Sequence, residues 1–299
     1  MSLIGQDNPG KEVLLMGNEA IARGALEAGI SVAAAYPGNP SSEIVGSLAQ
    51  VAHEMGIYVE WSVNEKVALE TAAAAAVSGL DALTAMKQNG LNVASDFLLN
   101  LNLTGIRGGL VLVVCDDPSG ISSTNEQDSR IFAKLADLPL LEPSTFEEAK
   151  DLVRYAFEIS RKINNVCMVR SVTRISHARG NVVLGPLPDG RPTPYFDTSI
   201  PLSSLPVFAS HPKAHARLKQ AADLFKDSPF NWYRGPANPE LLIITSGAGP
   251  LFASEAVPLL DLQHRVGLLN LTMVTVRSII PSIPSLSMKR LIGIKPALL

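Results

Sequence analysis

Cysteine is scarce in this sequence: Cys115 and Cys167 are its only two thiols, and they lie far apart. Two thiols alone build neither a zinc site nor an iron–sulfur cluster. With no stretch patterned like a signal peptide, they suit a reducing compartment, so a cytoplasmic protein is expected. Aromatic residues make up 5% and charged residues 18% of the 299 positions. A core drawn from such a chain is aliphatic and rich in alanine. No apolar run reaches the ~20 residues that span a bilayer. The net charge of -3 gives no reason to expect nucleic acid or an anionic membrane as partner. No G-x-G-x-x-G follows the first strand, and no G-x-x-x-x-G-K-[ST] or G-x-S-x-G occurs. Those absences speak against a dinucleotide site, a P-loop and a hydrolase elbow. Histidines 53, 177, 211, 215 and 264 show no metal-binding pattern. His211 and His215 are four apart, but Pro212 between them argues against one shared helix face, so no metal ligand set is expected.

Aliphatic strands and helices are what the chain does have, with 46% apolar residues. Short apolar runs at 13–16, 30–36, 57–61, 82–86, 110–115, 139–141 and 166–170 alternate with helical patterns at 18–28, 40–55, 65–76, 91 onward, 125–137 and 145–161. This alternation predicts an α/β fold: a doubly wound, mostly parallel sheet covered by helices on both faces. We assign residues 1–175 to this domain. Residues 176–239 hold ten prolines from Pro186 to Pro239 and read as a connection with one helix near 214–225. A second α/β unit opens with the strand at Leu241 and the turn Ser246-Gly247-Ala248-Gly249. From Val266 to Leu299 there is no Asp or Glu and no regular period. The 240–299 unit is therefore expected to be partial, with an irregular tail that does not complete a parallel sheet.

Candidate chemistry lies in loops after strand C-terminal ends, where open α/β sheets bind ligands. Glu65 opens the helix Glu65-Lys66-Val67-Ala68-Leu69-Glu70-Thr71-Ala72-Ala73-Ala74-Ala75-Ala76. The positive helix end favours its ionised form, and the small-residue face behind it permits close packing. A dipole-complementing surface acid is the plainer reading of that glutamate. In Tyr36-Pro37-Gly38-Asn39-Pro40, Asn39 is placed as an N-cap and Pro40 as the first helical residue, leaving N–H groups for a polar or anionic group. Lys87-Gln88-Asn89 offers a cation and two amides. Asp116 and Asp117 could hold a divalent cation, although a strand-end pair more often caps turns. Ser123 or Thr124 is placed as the cap of the helix that contains Asn125, Glu126 and Gln127.

Four segments in this order, YPGNPSSE, EWSVNEKVALE, MKQNGLN and DDPSGISSTNEQDSR, resemble the 2-oxoacid:ferredoxin oxidoreductases, and among them the alpha subunits of the indolepyruvate type. The likeness is good over residues 11–180 and weaker to about 271. It implies the pyrimidine-binding domain of a thiamine diphosphate fold. Glu65 falls on the family's glutamate, which shares a proton with N1′ of the aminopyrimidine and so readies the thiazolium carbon. The cofactor carries the hard chemistry and the protein orients it. The resemblance further implies cofactor contacts from Pro37, Gly38, Asn39, Gln88 and Asn89, and substrate contacts from Asn39, Lys87 and Asn125.

The implied reaction is oxidative decarboxylation of indolepyruvate or another aryl 2-oxoacid to its acyl-CoA, with electrons passed to ferredoxin. The implied partners are a diphosphate-binding domain or subunit, a beta subunit, ferredoxin, CoA and the 2-oxoacid. Three positions depart from the family pattern: Asn39 stands for a threonine, and Gln88 and Ile121 stand for histidines. The family's G-D-G segment for Mg2+ and its cysteine-rich cluster segment have no counterpart; Leu187-Pro188-Asp189-Gly190 is a proline-flanked turn. Magnesium and iron–sulfur clusters are therefore expected from segments outside this chain. Other readings of the same residues are a binding subunit dependent on a second chain, a fragment of a non-oxidative thiamine decarboxylase, and an inactive interaction module.

Overall fold

The computed structural model describes residues 2–199 and 202–271, with the backbone of 291–293. The chain runs β1 (Glu12–Met16), α1 (Gly17–Ala28), β2 (Val32–Ala35), α2 (Ser42–Met55), β3 (Tyr58–Trp61), α3 (Glu65–Val77), β4 (Ala82–Lys87), α4 (Gln88–Thr104) and β5 (Leu110–Asp116). It continues through α5 (Arg130–Leu135), β6 (Leu140–Leu141), α6 (Phe146–Ile163), β7 (Cys167–Val172), α7 (Thr173–His177) and β8 (Arg179–Val183). The remaining elements are α8 (Val207–Lys226), β9 (Trp232–Arg234), β10 (Leu241–Thr245), α9 (Gly249–Leu259), β11 (Val266–Asn270) and β12 (Leu291–Gly293).

Six strands form one parallel sheet in the order β3-β2-β4-β5-β7-β6. Every residue of β5 is buried, as its unbroken apolar run requires of a strand covered on both faces. Its side chains alternate between two cores. Val111, Val113 and Cys115 join residues of α1, α2 and α6, whereas Leu110, Leu112 and Val114 join residues of α3, α4 and α5. The winding changes direction between β2 and β4, because β3 lies on the far side of β2. The C-terminal edge there is the switch point, the usual ligand crevice of an open α/β sheet.

Local chemistry sets the helix ends. Thr145 caps α6 by accepting from the Glu148 N–H at 3.1 Å. Glu147 and Glu148 fill its first turn, Arg161 and Lys162 its last, and Asn164 ends it in the left-handed region. Asn64 caps α3 through the Val67 N–H at 2.9 Å. Helix α1 crosses α6 so closely that a Cβ on Gly24 would strike the Lys150 carbonyl. Beside that crossing, fully buried Arg23 bonds Glu27 at 2.8 Å and the carbonyls of Ile4, Gln6 and Gly185 at 2.9, 2.6 and 2.5 Å.

Several expectations need correction. The run at 13–16 is no member of the main sheet; β1 pairs antiparallel with β8, which lies in the region read as a proline-rich connection with a single helix. Exposed, alternating β8 (RGNVV) has too few apolar residues to stand out. Helix α8 is longer than the expected 214–225 and contains Pro212. That proline forfeits only a bond to the carbonyl of Phe208, at the exposed start of the helix. Helix α5 is six residues, not thirteen, because Asp128 is held by Arg130 and Gln127 by α4 instead of joining a helical turn. The second sheet has the order β12-β10-β11-β9. Residues 291–293, within the tail expected to be irregular, pair parallel with β10. The rest of the irregular tail, 272–290 and 294–299, lies outside the described residues.

Candidate active site at the switch point

Helices α3 and α4 begin at the C-terminal edge of the parallel sheet, on either side of the switch point. Glu65 is the first residue of α3 and is 8% exposed. Among the described residues its carboxylate has no hydrogen-bond or ion-pair partner. It lies against the first turn of α4: a Cβ on Gly90 would come within 2.5–2.8 Å of Glu65 Cγ, Oε1 and Cδ. The carboxylate therefore occupies room that only a glycine at position 90 leaves. Gly90 was not recognisable as a site residue in the sequence; the signal was a glycine inside the first turn of a helix, where propensity disfavours it.

Gln88 opens α4 fully buried. Its Nε2 donates to the Asn125 carbonyl at 3.2 Å, and its Oε1 is buried without a partner. Asn89 Nδ2 donates to Thr124 Oγ1 at 3.2 Å, and its Oδ1 is likewise buried and unpartnered. Gln127 completes the cluster by donating to the Gln88 carbonyl at 2.9 Å and to Asn92 Oδ1 at 3.1 Å. The loop after β5 is thus laced to the start of α4. The first turns of α3 and α4 thus carry a carboxylate and two orphaned amide oxygens, acceptors that suit a ligand with N–H donors.

The β2 loop contributes differently from expectation. Helix α2 starts at Ser42, so neither Asn39 nor Pro40 holds the cap and first-turn positions expected; the Asn39–Pro40 bond is cis and ends the extended path. Ser42 Oγ accepts from the Gly38 N–H at 2.8 Å, and Ser41 Oγ donates to the Gly38 carbonyl at 2.8 Å. Asn18 holds the loop from below, with Nδ2 at 2.8 Å from both the Pro40 carbonyl and Glu43 Oε2. Gly38 sits on the Lys87 stem; a Cβ there would lie 3.2 Å from Lys87 Cγ. Lys87 is half-buried, whereas Pro37, Asn39 and Asn125 are exposed. Ile121, also exposed, projects from the β5 loop.

The two strand-end aspartates are structural ties. Asp116, fully buried, accepts from Ser129 N and Oγ at 3.0 and 2.5 Å and from Arg170 Nε at 2.6 Å. Arg170 also bonds Glu142, whose Oε2 accepts from Ser246 at 2.8 Å, so one polar chain runs from β5 to the turn after β10. Burial opposes the charge on Arg170, but Glu142 and Asp116 hold its guanidinium above the usual range. Burial also works against ionisation of Asp117, yet bonds from Ser122, Thr173 and Ser123 outweigh it and keep the carboxyl below its usual range. Neither aspartate is left with free oxygens to share. Serine 123 or Thr124 caps no helix, since α5 begins at Arg130. Burial pushes the Cys115 thiol up to about 12 and raises that of Cys167 too, so neither is a nucleophile.

Residues 23–198 match the family described as pyruvate flavodoxin/ferredoxin oxidoreductase, thiamine diphosphate-binding. The chain is 48% identical over 271 residues to the indolepyruvate oxidoreductase subunit IorA of Pyrococcus horikoshii, covering 86% of this chain and 41% of that protein. It is 42% identical over 268 residues to the same subunit of Methanothermobacter thermautotrophicus, covering 88% and 43%. The chain thus spans about two fifths of the length of these relatives. In fold it resembles a 2-oxoglutarate:ferredoxin oxidoreductase from Magnetococcus marinus, with a TM-score of 0.74 at 14% identity, over 94% of this chain and 57% of that one. Among the described residues no helix is long and apolar enough to cross a membrane.

Proposed function

From the chain's membership of the pyruvate flavodoxin/ferredoxin oxidoreductase family, matched in its thiamine diphosphate-binding part, we propose that it supplies the pyrimidine side of a thiamine diphosphate site. The reaction served is the oxidative decarboxylation of indolepyruvate or another aryl 2-oxoacid to its acyl-CoA, with ferredoxin as electron acceptor. The names of the relatives support that substrate class. The observation that carries the reading is Glu65: a nearly buried carboxylate, without a protein partner, on the first turn of a helix, beside a glycine.

The residues present fit the cofactor's aminopyrimidine. Glu65 would hold N1′, and the orphaned oxygens of Gln88 and Asn89 would accept from an amino group. When bound, thiamine diphosphate supplies the electron sink for decarboxylation. Glu65 would exchange a proton at its carboxylate, which lies against the first turn of α4. Half-buried Lys87 and exposed Asn39 and Asn125 would meet the carboxylate of a 2-oxoacid.

A second chain or domain carries the diphosphate and magnesium side, since no G-D-G segment lies in these 299 residues. It likewise brings the iron–sulfur clusters, and a beta subunit completes the enzyme. The 299-residue chain assayed alone with aryl 2-oxoacids, CoA and a viologen dye is then inactive. Reconstituted with a chain bearing the G-D-G segment, it turns over, and Glu65→Gln lowers kcat by about 10²–10⁴-fold while circular dichroism stays unchanged. Near-normal kcat in that variant would remove Glu65 from the chemistry. Co-purification with such a chain separates a partner-dependent subunit from an inactive module.

A further inference from the structure

Away from the switch point, three side chains from two distant segments meet on the surface. His211 and His215 lie four residues apart on α8, where Pro212 does not prevent them from sharing a face; their rings are 4.4 Å apart. Asp137 follows α5 in the left-handed region, at φ 49°. Its Oδ2 lies 3.1 Å from His215 Nε2. One ligand atom from each of the three falls within 4.8 Å of the other two. We propose that Asp137, His211 and His215 bind one zinc ion.

Ligand type, spacing and rigidity each favour this. Two imidazoles and a carboxylate suit zinc and its neighbours in the transition series, whereas calcium and magnesium call for oxygen ligands. At bond lengths of about 2.0–2.2 Å the ligand atoms of a tetrahedral zinc lie about 3.4 Å apart. Rotation of two exposed imidazoles closes the remaining gap. Water takes the fourth position. Both segments are fixed on α4 before any metal arrives. Asn102 Nδ2 donates to the Ala136 carbonyl at 2.5 Å next to Asp137, and Arg217 Nη2 donates to the Leu103 carbonyl at 3.1 Å one half-turn beyond His215. Such prior support is what a metal site requires of its surroundings. An ordinary solvated histidine pair would need no carboxylate from a segment 78 residues earlier. A bound zinc would tie the first half of α8 to the turn after α5. The site lies on an open surface, which suits a structural tie rather than catalysis.

The test uses the full chain, purified without a polyhistidine tag and stripped with chelator. Zinc is titrated by calorimetry, and cobalt is used as a visible probe of tetrahedral nitrogen–oxygen coordination. The expected result is one zinc per chain and a tetrahedral cobalt spectrum. His211→Ala and His215→Ala should each weaken binding at least about tenfold, and Asp137→Asn should weaken it too. Both histidines are exposed, so these variants fold, as circular dichroism would verify. Hydrogen exchange over residues 207–215 should slow with zinc in the parent and not in His211→Ala. No saturable binding, or binding and protection unchanged by the substitutions, would overturn the proposal.

Discussion

At the scale of single residues, the space around Glu65 matters as much as its charge. Gly90 leaves room for that carboxylate where any Cβ would sit within 2.5–2.8 Å of it. Gly90→Ala should therefore push Glu65 aside without disturbing helix α4, where alanine is intrinsically favoured. In the reconstituted enzyme we expect kcat to drop by at least about tenfold with little change in unfolding midpoint. A variant that loses stability but keeps activity would assign Gly90 to packing instead. Asp117 makes a separate prediction. Its folded carboxyl titrates below the ordinary value of 3.8. The stability it contributes is present above that value and is lost as pH falls through the lowered one. The urea midpoints of the parent and of Asp117→Asn, measured from neutral pH to about pH 3, should draw closer together toward the acid end. Parallel curves would show that Ser122 and Thr173 do not favour the charged form.

At the scale of elements, the crossing of α1 and α6 is held by a buried polar group as well as by close backbones. Glu27 of α1 faces Lys150 of α6, with Nζ 3.7 Å from its Oε2, and accepts from Arg23 and from the Gly185 N–H at 2.6 Å. Glu27→Ala would leave the fully buried Arg23 guanidinium without a counter-charge. The cost should be about 3–5 kcal/mol in denaturant unfolding. A loss below about 1 kcal/mol would mean that the three carbonyls around Arg23 suffice.

Apart from α5, the strands and helices up to 172 were legible because their apolar period changes cleanly from strand to helix. The LVLVVC run and the alanine helix are the plainest cases. Elements with mixed burial were not legible. In β8 only Val182 is fully buried, and its partner is a strand more than 160 residues earlier. Pro212 concealed the first turns of α8. At the site, Glu65, Gln88 and Asn89 were visible as polar residues at strand ends. The contact of Gly90 with Glu65 was not, since it depends on how closely α3 and α4 approach.

For the whole molecule, the two sheets differ in how much core they own. The six-stranded sheet has extensive apolar clusters on both faces. Among the described residues the second sheet has a small one of Ile243, Ala253, Val266 and Leu268, with partly buried Trp232, Leu241, Val257 and Leu262 packed on it. Opening free energies follow such differences in local burial. Hydrogen exchange should be slowest in β4, β5 and β7 and markedly faster across 241–270. Equal protection in both would indicate one cooperative unit, joined through Ser246, Glu142 and Arg170.

The two crowded glycines imply different phenotypes in a genetic screen. A single base change converts any glycine codon to an alanine codon. At Gly24 the added methyl meets the backbone of α6, which cannot move aside. Such an allele would be temperature-sensitive, its product scarce in warm cells and restored in cool ones. At Gly90 the methyl meets only the end of a side chain. Its product would accumulate normally and stay impaired at every temperature. A collection of loss-of-function alleles, sorted by protein abundance alone, would thus separate the residues that build this fold from those that leave room for its chemistry.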